Sequence, residues 1–127
     1  MTGPSGRTFT DLPIDGMRGF PQEFPFLFEG RTYHFRLYVN ALRETMADKT
    51  ATLELPSQDA ALIVRIEKQG DAGERTTIFL RKVVPGLEYD AENVRVTFPD
   101  QRVAIGNLNG TGDLGTQVTG GMRSRWA

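Results

Sequence analysis

An all-β fold follows from three features of the amino-acid sequence. Apolar side chains alternate with polar ones over residues 23–40 and again in several shorter runs. Gly- and Pro-containing breaks separate those runs at spacings typical of a sandwich or small barrel. No helical periodicity of useful length accompanies them, which argues against a parallel α/β sheet. The expected architecture is a small antiparallel β-sandwich or barrel of about seven strands. It occupies residues 23–106 and carries extended arms at residues 1–22 and 107–127.

The clearest element is a hairpin. Phe24, Phe26 and Phe28 alternate with Glu23, Pro25, Leu27 and Glu29. After the turn Glu29-Gly30-Arg31, Tyr33, Phe35, Leu37 and Val39 alternate with Thr32, His34, Arg36 and Tyr38. Alternation sends successive side chains to opposite faces of a strand, so one face is almost wholly aromatic and aliphatic and can seed a core. Pro25 lacks a backbone donor, which predicts an edge strand or a bulge there.

Further elements follow in order. Residues 41–48 predict a helical turn or two, and residues 50–55 a strand that Pro56 ends. Residues 61–68 and 75–84 predict a second hairpin across the turn Gly70-Asp71-Ala72-Gly73. Pro85-Gly86 breaks the chain, residues 93–98 alternate again, and Pro99-Asp100 turns into a last strand, Arg102–Ile105.

The two ends differ from ordinary linkers. Seven Gly and Pro residues interrupt residues 1–22, yet Phe9, Leu12, Ile14, Met17 and Phe20 lie among them. A disordered linker is poorer in large apolar groups, so this arm is expected to dock on its own domain or on a neighbour. Gly106, Gly110, Gly112, Gly115, Gly120 and Gly121 loosen the other end, which closes on Arg123, Arg125 and Trp126. Trp, Tyr and Arg are the commonest interface anchors. Phe9, Met17, Phe20, Arg123, Arg125 and Trp126 are therefore the expected contact residues. Arms waving in solvent, or wrapped solely around their own barrel, would remove the case for a building-block role that assembles through them.

Composition bounds the chemistry. The chain has 127 residues, a formal net charge of -1 and no cysteine. One domain's worth of core is available. Disulfides, thiolate metal sites and cysteine nucleophiles are excluded. A net charge near zero favours neither nucleic acid nor an anionic membrane. No apolar run approaches the roughly 20 residues needed to span a bilayer, and the N-terminus lacks the order of a signal peptide, so a soluble chain is expected.

His34 is the only histidine and falls on the polar face of the first hairpin. With so few acid, base and nucleophile candidates, no enzymatic activity, cofactor, metal or small-molecule substrate is expected. The stretch Asn107–Asp113 is rich in Asn, Asp and Gly but lacks the acidic density of a calcium loop, and a plain turn is the better account. Tyr38 and Tyr89 are the aromatics that a sugar-binding face would use. A carbohydrate-binding module of an adhesion device is thus the alternative reading.

The pattern Phe24-x-Phe26 … Gly30-x-x-Tyr33-x-Phe35-x-Leu37-x-Val39-Asn40 resembles the opening hairpin of small baseplate plug proteins of tailed phages. The resemblance implies a structural subunit of a phage tail, baseplate or related virion particle. It implies location in the tail region, assembly in the host cytoplasm, and partners that are further copies of the chain and neighbouring structural proteins. A β-domain of that kind repeats around an axis and locks to its neighbours by its arms.

Overall fold

The computed structural model describes residues 1–108 and 115–126, Asn107 by its backbone alone. The described chain is all-β and antiparallel throughout. Its strands are β1 (Thr10–Asp11), β2 (Gln22–Phe28), β3 (Arg31–Ala41), β4 (Thr52–Glu54), β5 (Ala60–Gln69), β6 (Arg75–Val83), β7 (Glu88–Ala91), β8 (Val94–Thr97), β9 (Gln101–Ala104), β10 (Gln117–Val118) and β11 (Gly121–Ser124). Helix is confined to one α-turn, Arg43–Met46, and two 3-10 turns, Gly16–Arg18 and Ile105–Asn107.

The strands form three sheets. The first has the order β2-β3-β5-β6, the second β1-β11-β8-β7, and the third β10-β9-β4. The first sheet is built from the two expected hairpins. Phe24 lies opposite Phe35 and Phe26 opposite Tyr33, so the alternation of both strands sets aromatic groups on one face. The connecting turn needs left-handed backbone at both central residues, and Glu29 (φ 50°) and Gly30 (φ 80°) supply it. The rings of Phe24 and Phe35 stack with centroids 5.1 Å apart.

One apolar core joins the sheets. Phe35, Leu37, Leu62, Val64, Ile66 and Val83 from the first sheet are buried in the same cluster as Val94, Val96 and Met122 from the second and Val103 and Val118 from the third. Phe79 meets Tyr89 edge-on across two sheets, with centroids 5.8 Å apart.

Two expectations are corrected. The strand after Pro99-Asp100, β9, is not the last, since β10 and β11 follow it; β8 pairs with β7 and β11, whereas β9 pairs with β4 and β10. The chain changes sheets there because Phe98 is fully buried and pins the crossing point in the core. Strand β7 fills the segment after Pro85-Gly86, closing on β8 through the Glu92-Asn93 turn, where Glu92 has φ 53°.

The ends lie on their own domain, one of the two placements expected for the N-terminal arm, and are parts of the fold. β1 lies along β11 in the second sheet, with Thr10 opposite Met122. β10 completes the third sheet beside β9. Leu12 N–H donates to the Gly120 carbonyl at 2.8 Å and Phe20 N–H to the Leu108 carbonyl at 2.6 Å. Gln22, buried at the start of β2, holds the preceding loop. Its amide donates to the carbonyls of Asp15 (2.8 Å) and Gly19 (3.0 Å), and its oxygen accepts from Asp15 N–H (3.1 Å).

The tail glycines serve close approach here. A Cβ on Gly121 would stand 2.7 Å from Phe9 Cβ, and one on Gly120 would stand 2.8 Å from the Phe98 ring. Gly at these two positions lets β11 pass directly over aromatic side chains, which any larger residue would displace.

Candidate interaction surface

The residues expected to contact neighbours fall into two groups. Phe9 and Phe20 are buried in the chain's own core, so their apolar surface is already withdrawn from water. Burial of such a ring contributes about 1.5–3 kcal/mol, and here it holds the N-terminal segment to its own sheet. Met17 is exposed on the 3-10 turn and Trp126 is 72% exposed at the end of the described chain.

Arg123, Arg125 and Trp126 meet a network on the second sheet. Register sets Asp90 of β7 opposite Arg95 of β8, and Arg95 opposite Arg123 of β11. Arg95 Nε donates to Asp90 at 2.6 Å, and Arg125 Nε stands 3.4 Å from the same carboxylate. Arg123 is nearly buried, with its guanidinium 5.5 Å from the centre of the Phe9 ring. Arg125 N–H donates to the Asn93 carbonyl, and its guanidinium lies 4.7 Å from the Trp126 ring. The tail arginines are thus tied to acids and rings of their own molecule.

That network shifts its acids. The hydrogen bond from Arg95, helped by the charges of Arg95, Arg125 and Arg123, holds the Asp90 carboxyl below its ordinary range against a partial cost of burial. For Glu88, burial opposes ionisation, but the hydrogen bond from Ser5 N–H (2.7 Å) and the charges of Arg123 and Arg95 outweigh it. Its carboxyl is also held low.

The outer face of the first sheet is polar and crowded with charge. Arg36 and Arg65 face each other directly in register, an arrangement that costs stability unless acids intervene. Glu23 stands 3.6 Å from Arg36, and Glu67 stands 3.2 Å from Arg65 and 3.9 Å from Arg75. These groups and His34 line a shallow depression of about 180 Å³. The His34 ring bonds the Gln69 side chain (Nε2 to Oε1, 2.6 Å). His34 is thereby a half-buried member of a polar sheet face, as its place in the alternation predicts.

The aromatics proposed for a sugar face are separated. Tyr38 lies half-buried on the outer face with Arg36 5.9 Å from its ring. Tyr89 is buried on the core side, its hydroxyl accepting a hydrogen bond from Val84 N–H. The two rings therefore do not share an open surface, and nothing in the geometry favours the carbohydrate reading. Among the described residues, no three His, Asp or Glu side chains are grouped as a metal site, and no helix is long and apolar enough to cross a membrane. Residues 109–113 of the calcium-like stretch lie outside the described residues.

What remains open is the rim of the first sheet. Among the described residues, both end strands, β2 and β6, pair on one side only. β2 carries Pro25 at its centre and Glu23 near its start. β6 has nine residues, and Arg75, Thr76, Thr77, Leu80, Arg81 and Lys82 are exposed. The sequence marked Pro25 as an edge but gave no sign that β6 is the other edge, because strand order is a property of the tertiary fold. No family model, curated protein or solved structure matches the chain.

Proposed function

We propose that this chain is a structural subunit of a phage tail, baseplate or related virion particle, working by protein–protein contact and not by catalysis. The observation that carries the proposal is the first sheet. Its strands of seven, eleven, ten and nine residues span a small domain and end on two strands that, among the described residues, are paired on one side only. Unpaired backbone along a sheet edge is a ready template for another chain.

The hairpin that resembles baseplate plug proteins, β2–β3, is half of that sheet. This supports the reading through the element that suggested it. The route of assembly differs from the one the sequence suggests. Phe9, Phe20 and Arg123 are engaged within the molecule, which leaves the open sheet edges, with Met17 and Trp126, as the surface for neighbours.

Mass spectrometry of tail particles, purified from cells that carry the surrounding genes, tests the proposal. The expected result is this chain at a fixed copy number matching the symmetry of the particle. Its absence from intact particles would overturn the proposal.

A further inference from the structure

We propose that the free edge of β6 accepts an extended acidic segment of a different protein as a fifth strand of the first sheet. The inference rests on reading the chain as an assembly subunit and assigns the contact to one edge.

Three observations point to β6 and to an acidic partner. First, the edge is open. Among the described residues, β6 pairs with β5 alone, and none of residues 75–83 joins a backbone hydrogen bond outside that pair. Strand addition supplies such an edge with a new ladder, while alternate side chains set specificity. Second, the edge is held in place. Phe79 and Val83 are buried, the Phe79 ring packs on Tyr89, and the Tyr89 hydroxyl caps Val84 N–H at 2.8 Å. A fixed edge loses less conformational freedom on binding than a mobile one.

Third, the edge is basic in a chain of net charge -1. Residues 75–83 contain Arg75, Arg81 and Lys82 and no acid. On the adjoining surface Glu67 is shared between Arg65 and Arg75, and Glu92 is engaged by Lys68, so Arg81 and Lys82 are the cations that no acid there offsets. Glu74 folds back so that its carboxylate accepts from Ala72 N–H in the turn. Lys82 has no ion pair among the described residues, and Arg81 has only the Tyr89 ring, 4.9 Å away. The uncharged run Thr76–Leu80 lies between these cations. An extended segment with acids flanking a β-branched or apolar centre would match both features.

The same charges argue against a second copy of this chain. An antiparallel β6–β6 pair centred on Ile78, one residue from the middle of the strand, sets Arg75 opposite Arg81, and like charges in register are destabilising. The β2 edge of a second copy lacks a donor at Pro25.

The test uses the whole protein, labelled for NMR, and two capped seven-residue peptides, one alternating Glu with Val and the other Lys with Val. The Glu peptide is expected to shift amides of β6 and adjoining β5, binding at least about ten-fold more tightly than the Lys peptide. The double variant Arg75→Glu/Lys82→Glu is expected to reverse that preference, and since both residues are exposed it should stay folded. Equal binding of the two peptides, or no shift within residues 75–83, would overturn the inference and leave the cations as guards against aggregation. Self-association abolished by the double variant would assign the edge to a second copy and overturn it equally. Entry of the double variant into particles at normal copy number would sink the edge inference while leaving the particle reading intact. Absence of the natural chain from particles would sink the particle reading whatever the peptides do.

Discussion

The hydroxyl of Tyr89 on β7 accepts a hydrogen bond from the backbone N–H of Val84, at 2.8 Å, immediately after β6 ends. Through this bond and the ring contact with Phe79, the second sheet fixes the end of the first sheet's outermost strand. Tyr89→Phe keeps the ring and removes the bond. The expected loss is about 1 kcal/mol, seen in urea denaturation as a lower midpoint with an unchanged slope. Amides 80–84 should exchange faster in the same variant.

Phe9 and Gly121 form a fitted pair in which a Cβ on Gly121 would stand 2.7 Å from the Phe9 Cβ. Gly121→Ala is expected to destabilise by about 1–3 kcal/mol through overpacking, and Phe9→Ala by about 3–5 kcal/mol through the cavity it leaves. Thermal melts of both variants read this out. Unchanged melting of Phe9→Ala would place the N-terminal segment off the core.

Gln22 closes the loop over residues 15–19 with three hydrogen bonds to backbone. Gln22→Ala leaves the buried Gly19 carbonyl without this donor and frees the Asp15 backbone, a cost of about 1–3 kcal/mol. Limited proteolysis should then cut first near Arg18, where the natural chain resists.

Asp90 and Glu88 carry depressed pKa values, so the sign of their pH effect is fixed. A carboxylate whose folded-state pKa lies below its unfolded value stabilises above that unfolded value and loses the contribution as the pH falls. The Tm of the natural chain should therefore drop between about pH 5 and about pH 3. In Asp90→Asn/Glu88→Gln the drop should be shallower. Added salt should shrink the difference, because these ion pairs are only partly shielded from solvent.

The first sheet could be read from the sequence because its information is local. Strict alternation from Phe24 to Val39, the Glu29-Gly30 turn and the Gly70–Gly73 turn each specify a neighbour nearby in the chain. Strand β7 is not legible in the sequence because Glu88–Ala91 is four residues long and follows a Pro-Gly break. Which of the two expected placements the ends take is hidden for a different reason. Gly120 and Gly121 look like flexible linker, yet their small size serves packing against Phe98 and Phe9, and that need appears only once distant segments meet. Among the contact candidates, Trp126 and Met17 proved exposed. Phe9 and Phe20 were apolar because they belong to the core. The β6 edge could not be found from sequence, since its openness depends on which strand ends the sheet.

Hydrogen exchange, comparing the free chain with the chain inside purified particles, decides between edges and arms. Slow exchange is expected at β1 and β11 in both states, with new protection along residues 75–83 only in the particle. Ends that exchange freely in the isolated chain and gain protection on assembly, with β6 unchanged, would contradict this account.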